Sequence, residues 1–166
     1  MKLLNIGSGP HYAEGWVNLD LNTHEDWAKQ ADVIASVYDM PFENEEFDRV
    51  YMGHLLEHLV YDKIPEAIAE VRRVSKPGSE IMVVGPCLEL AKKTNQPTWL
   101  LKDIEAHGDT NSGFGHAWTP TESLTVDILK RSGLNNVKAV NISTVTKPRW
   151  PNPTTAPWQC AVQAFV

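Results

Sequence analysis

Leu3-Leu4-Asn5-Ile6-Gly7-Ser8-Gly9-Pro10, followed by Gly15-Trp16-Val17-Asn18-Leu19-Asp20-Leu21, is the stretch on which the reading of this 166-residue chain turns. The run Lys2 to Ile6 is apolar and short, as a buried parallel strand is, and it stops at Gly7-Ser8-Gly9. Glycine lets a backbone turn sharply and approach a ligand closely, because no Cβ intervenes and positive φ carries little penalty. On its own such a turn is also a common strand connection.

Working outward, further apolar runs follow at Trp16 to Leu21, Val33 to Tyr38, Phe47 to Met52 and Glu80 to Gly85, each ending near Gly, Asp or Pro. Alternation of such runs with helix-like stretches predicts an α/β fold, a sheet of five parallel strands covered by helices. Ile64, Ile68 and Val71 recur at helical spacing, with Asp62 placed to cap the start and Pro77-Gly78 to stop the helix. A second helix is marked by Thr119, Pro120 and Glu122 as a capping box, by Leu124, Ile128 and Leu129, and by Gly133 at its end. Val137 to Val145 and Gln159 to Val166 predict a C-terminal hairpin with one antiparallel strand, joined through Pro148, Pro151, Pro153 and Pro157. Residues 87–118 and 146–158 take no assignment; in an open α/β sheet the loops leaving the carboxyl ends of strands build the ligand site, so both are expected on the substrate side.

Asp20 closes the second run and Asp39, followed by Met40, closes the third. A carboxylate beside the glycine turn can accept hydrogen bonds from a ribose diol, a second can accept from an adenine amine, and a methionine can lie against a flat base. Each aspartate equally well caps or begins a turn. A dinucleotide site would want a third glycine where Tyr12 stands, and no P-loop lysine follows the turn. A phosphate-free adenosine ligand suits the pattern better.

Composition fits one domain over residues 1–166: hydrophobic content is 42% and charged content 22%. The net charge of -6 disfavours a nucleic-acid partner. Cys87 and Cys160 are too few and too distant in sequence for a disulfide framework, and they lack zinc-ligand spacing. The N-terminus lacks a signal-peptide core and no run reaches transmembrane length, so a cytoplasmic location without membrane association is expected.

The segments LLNIGSGP, GWVNLDL, YDMPFENEEFDRVYMGHLLEHL, EVRRVSKPGSEIMVVGP and HAWTPTESLTVDILKRSGL, in that order, resemble the class I S-adenosylmethionine-dependent methyltransferases, in particular the compact group related to methyltransferase type 11. The resemblance covers residues 1–86 well and 116–142 more loosely. It implies a Rossmann-like sheet with helices on both faces, and S-adenosylmethionine as cofactor. Asn5, Ile6, Gly7, Ser8 and Gly9 would wrap its methionine part. Asp20 would hold the ribose hydroxyls with Leu21 flanking the base, Asp39 would face the adenine amine, Met40 would lie against the ring, and His54 would stand near the methionyl end. Residues 55–59 would start a helix in which Glu57 and His58 are structural or substrate-facing. Three departures stand out. Asn5 replaces the usual acidic residue of the first strand; Pro10 and His11 replace the end of the glycine pattern, leaving almost no first helix before Asp20; and no covering helices precede the first strand, so a lid would come from residues 87–118, the proline-rich connection or the second subunit of a homodimer.

A sulfonium methyl is already activated, so in-line transfer needs mainly alignment with the nucleophile. If the acceptor is a hydroxyl or an ammonium, a histidine can take the proton, and His54, His58, His107 and His116 are candidates beside their ordinary structural roles. Trp99, Trp118, Trp150 and Trp158 can bind a flat or cationic acceptor or simply pack. No histidine and carboxylate spacing suggests a metal site. The leading expectation is an enzyme methylating a small-molecule, sugar or peptide acceptor. The rivals are a non-catalytic S-adenosylmethionine-binding module and a nucleotide-dependent oxidoreductase.

Overall fold

The computed structural model describes residues 1–21, 31–105, 116–151 and 155–166. They form a seven-stranded sheet in the order β3-β2-β1-β4-β5-β7-β6. The strands are β1 (Leu3–Ile6), β2 (Val17–Asp20), β3 (Val33–Ile34), β4 (Phe47–Gly53), β5 (Ser75–Pro86), β6 (Asn135–Val140) and β7 (Gln159–Phe165). From β3 across to β5 every pairing is parallel, whereas β7 runs antiparallel to both β5 and β6. The five parallel strands and the terminal hairpin expected from the sequence are therefore present. The chain winds from β1 outward to β3, then returns to place β4 on the other side of β1, so the strand order reverses between β1 and β4, where open α/β sheets hold their ligands.

Alternating burial along the strands sends Leu4, Ile6, Val50, Met52, Ile81 and Val83 to one face and Tyr51, Met82 and Val84 to the other. The first face packs on α1 (Ile64–Val74) and α4 (Glu122–Arg131). Ile64, Ala67, Ile68, Val71 and Val74 are fully buried, the apolar stripe that helical spacing foretells. The second face is covered by Ala13, Trp16, Val145 and Trp150. No helix separates β1 from β2, as the short spacing between Gly9 and Asp20 implies.

Several boundaries differ from the sequence reading, each for a local physical reason. The third strand is two residues long rather than Val33 to Tyr38, because Tyr38 N–H turns back to Ser36 Oγ (3.2 Å) and Asp39 N–H to the Ser36 carbonyl (3.1 Å). Helix α1 takes no side-chain cap from Asp62, which lies in the 3₁₀ turn Tyr61–Lys63. It ends at Val74 rather than at Gly78: Glu45 and Glu46 donate backbone N–H groups to the Arg73 and Val74 carbonyls (both 2.8 Å), and Ser75 Oγ–H donates to Val71 (2.6 Å), so the terminal carbonyls are satisfied without a glycine. Gly78, with φ +77°, lies instead within β5. Helix α4 is capped by Thr121, whose Oγ1 accepts from Leu124 N–H (3.2 Å), not by Thr119. Leu124 is correspondingly exposed while Thr125 joins Ile128 and Leu129 in the buried face. The sixth strand ends at Val140, and a 3₁₀ turn, Ile142–Thr144, replaces its expected continuation. The unassigned region after β5 contains two short helices, α2 (Leu88–Lys93) and α3 (Thr98–Glu105).

Trp150 is 2% exposed and is ringed by Trp16 (centroids 6.2 Å apart), Tyr51 (6.3 Å) and the Arg49 guanidinium (5.0 Å). Truncating such a side chain removes its transfer energy and leaves a cavity. Trp150→Ala is expected to lower unfolding free energy by about 3 to 5 kcal/mol in urea titration; a loss below about 1 kcal/mol would show that the connection does not seal this face.

Candidate functional site

At the carboxyl end of β1 the chain turns through Gly7 (φ +69°) and Gly9 (φ +50°). A side chain at Gly7 would also meet Leu55 Cδ1 at 3.0 Å, so both conformation and space demand glycine there. The turn is tied to the neighbouring strand three times. Gly7 and Ser8 N–H both donate to the Leu19 carbonyl (2.8 and 3.2 Å), and Gly9 N–H donates to Asp20 Oδ2 (2.9 Å). The carboxylate at the end of β2 thus stands directly beside the glycine turn.

Asn5, 3% exposed, donates from Nδ2 to Asn18 Oδ1 (2.9 Å). Asn18 also accepts from Ala13 N–H (2.8 Å) and donates to the Ala13 and Trp16 carbonyls (both 3.0 Å). Two buried amides therefore organise the loop that a helix would otherwise occupy, with their polar atoms paired.

A cavity of about 290 Å³ opens at the reversal of strand order, lined by Asn5, Gly7, Ser8, His11, Tyr51, Gly53, His54, Pro151, Trp158 and Gln159. Of the residues singled out in the sequence, it gathers Asn5, Gly7, Ser8 and His54. Ile6 is wholly buried in the core. Asp20 adjoins the turn on the far side, next to Leu21, which is 60% exposed; Ile34, opposite Asp20 in the parallel register, is 65% exposed. Asp39 lies in the turn after β3; the Arg73 guanidinium, whose pKa is raised chiefly by its hydrogen bond with Glu70, also feels the Asp39 charge. Met40 is 2% exposed, with its side chain in the core; its N–H donates to Glu70 Oε2 (3.1 Å) and its carbonyl accepts from Arg73 (2.8 Å).

His54 holds a left-handed backbone conformation (φ +54°) just beyond β4, fixed by its N–H donating to the Val84 carbonyl (2.7 Å). Its ring is held from both ends. Gln159 Oε1 accepts from Ala156 N–H (2.9 Å), which orients the amide so that Nε2 donates to His54 Nε2 at 2.6 Å. The hydrogen on His54 then resides on Nδ1, which donates to Glu57 Oε1 (3.0 Å). Glu57 is 1% exposed; burial pushes its carboxyl up, but the hydrogen bond from His54 and the His54 and His58 charges outweigh that and hold it below the usual value. Tyr51, raised by burial and by the Glu57 charge, stays a neutral phenol in the cavity wall.

The sequence reading missed His11, Tyr51 and Gln159. His11 entered only as a departure from the glycine pattern, although its place at the end of that turn was the available signal. The other candidate bases scatter: His58 and His116 stack edge to face (5.3 Å) outside the cavity wall, and His107 lies outside the described residues. Among the tryptophans, Trp118 and Trp150 are buried, Trp99 is exposed, and Trp158 meets the cavity 5.8 Å from the His54 ring. Cys87 and Cys160, far apart in sequence, are buried free thiols brought near each other by the pairing of β5 with β7.

Residues 14–83 match the family model described as a methyltransferase domain. The chloroplastic tocopherol O-methyltransferase of Arabidopsis thaliana is 30% identical over 121 residues, which is 71% of this chain and 33% of that protein. The chain thus spans about a third of the length of that relative. The fold is that of S-adenosylmethionine-dependent methyltransferases from Thermotoga maritima (TM-score 0.66, 14% identity, 99% of this chain and 81% of the other) and Archaeoglobus fulgidus (TM-score 0.64, 16% identity, 99% and 86%). No helix among the described residues is long and apolar enough to cross a membrane.

Burial, then the nearby His54 and Lys147 charges, lower the His11 pKa from 6.5. Its neutral form therefore persists as pH falls below that value, and folding loses stability as pH drops from 6.5 toward the lowered pKa, where the unfolded chain binds the proton first. Proton NMR titration of His11 should give a midpoint below 6.5, and one at or above 6.5 would mean that the ring stands in open solvent rather than in the cavity wall.

Proposed function

We propose that this chain, which resembles the class I S-adenosylmethionine-dependent methyltransferases in sequence pattern and shares their fold, transfers a methyl group from S-adenosylmethionine to an oxygen or nitrogen of a small-molecule, sugar or peptide acceptor. One observation carries the reading: the Asp20 carboxylate is hydrogen-bonded to Gly9 N–H of the glycine turn, whose Gly7 and Ser8 line a cavity at the strand reversal. An acid placed there suits a ribose diol, and among the described residues the cavity wall presents no lysine or arginine for a phosphate.

When bound, S-adenosylmethionine supplies a methyl group already activated on a sulfonium. Gly7, Ser8 and Gly9 form the turn that, with Asn5 and Ile6 at the end of β1 behind it, would enclose its methionine tail; Asp20 and Leu21 would flank the sugar and base, and Asp39 would be offered to the adenine amine. Met40, being in the core, supports that turn from beneath rather than presenting an open face. On the acceptor side, the cavity between His11, Tyr51, His54 and Trp158 has room for a small hydroxylic or amine group. His54 is suited to take its proton: Glu57 keeps the hydrogen on Nδ1, and an acceptor O–H or N–H would replace Gln159 as the donor to Nε2. In-line displacement then asks the protein chiefly for alignment.

Calorimetry with S-adenosylhomocysteine tests the cofactor half. Asp20→Ala is expected to weaken binding by about 1.5 to 3 kcal/mol, the scale of a hydrogen bond to a charged group; unchanged affinity would remove the ribose assignment. Turnover against a panel of hydroxyl and amine acceptors separates the enzyme from a binding module, which would bind and never release product. With an acceptor in hand, His54→Asn should lower kcat by about a hundredfold or more while cofactor affinity stays within a few fold. An equal kcat would leave His54 a structural residue.

A further inference from the structure

Behind the cavity wall, Glu57, His58 and His116 bring one donor atom each to within 4.8 Å of one another, and from this constellation we infer a binding site for a divalent transition-metal ion such as Zn²⁺ or Mn²⁺. No ligand spacing is legible along the chain, because two of the three residues are adjacent and the third precedes α4, far from them in sequence. Two hydrogen bonds join the segments: Ala117 N–H donates to the Glu57 carbonyl (2.7 Å) and Trp118 Nε1–H to the Leu56 carbonyl (2.8 Å). They fasten residues 116–118 along the 3₁₀ turn Leu56–His58, which sets the two imidazoles 5.3 Å apart between ring centres.

Two features point to an ion rather than to a self-contained hydrogen-bond cluster. His116 Nδ1 is buried and has no hydrogen-bond partner among the described residues, a state that costs free energy unless something fills it. Glu57 is buried, and its carboxylate is engaged by the His54 ring through Oε1 (3.0 Å). That is the outer-shell arrangement commonly found around a metal-bound ligand. Donors around one ion at about 2.0 to 2.2 Å stand roughly 3 to 3.5 Å apart, so small side-chain rotations close the site. Two imidazoles with one carboxylate favour Zn²⁺, Mn²⁺ or Fe²⁺ over Mg²⁺ or Ca²⁺, and three protein ligands leave positions for water or another oxygen donor. The site does not depend on the proposed methyl transfer, since its occupancy is read without turnover.

Chelator-treated protein titrated calorimetrically with Zn²⁺, and with Co²⁺ followed by visible absorption, decides the matter. One ion per chain is expected, with visible bands that mark nitrogen ligation. His58→Ala and His116→Asn should each weaken binding by about tenfold or more. His11→Ala, which removes a histidine elsewhere, should leave ion affinity unchanged. Zn²⁺ should raise the melting temperature of the parent and not of the two ligand variants, whose folding is checked by circular dichroism. Equal affinity in parent and ligand variants, or Co²⁺ that gives only the spectrum of the hydrated ion, would overturn the inference.

Discussion

One carbonyl at the end of β2 governs the geometry of the site. Leu19 accepts from both Gly7 and Ser8, and Asp20 takes the next amide, Gly9, on its side chain. Three consecutive N–H groups of the turn are thereby committed to the adjacent strand. The turn cannot relax away from β2 without leaving amides unpaired, and the carboxylate cannot leave the turn without losing its donor. The parallel pairing of β1 with both β2 and β4 then places the reversal of strand order directly above the turn.

The missing helix between β1 and β2 has consequences on the second face of the sheet. Buried amides of Asn5 and Asn18 hold the short loop together, while the apolar surface that a helix would cover is sealed by Trp16 and Trp150. Trp150 belongs to the connection into β7, and the same connection brings Pro151, Trp158 and Gln159 to the cavity. A segment that stabilises the sheet therefore also shapes the site, so that loss of packing around Trp150 would disturb the cavity wall as well as the core.

His54 gathers the remaining parts. Its position beyond β4 is set by the sheet, its ring is oriented by Gln159 on one side and Glu57 on the other, and Glu57 in turn lies beside His58 and His116. The buried Glu57 carboxylate is held by the hydrogen bond from His54, and removing that partner would leave a buried acceptor unsatisfied.

The chain's order of short apolar runs, its glycine turn and its two strand-end aspartates were enough to determine the parallel sheet, the terminal hairpin and the place of Asp20, since these depend on local periodicity and on turn chemistry that neighbouring residues impose. The buried stripe of α1 was equally plain. What escaped was settled by distant partners. The local capping-box pattern pointed to Thr119, whereas in the structure Thr121 caps the helix and Thr125 turns into the buried face. The end of α1 depended on amides from Glu45 and Glu46, across the fold. His11, Gln159 and the grouping of Glu57 and His58 with His116 became visible only when strands from opposite ends of the chain met, because hydrogen-bond partners and cavity walls are properties of spatial neighbours that no spacing along the sequence encodes.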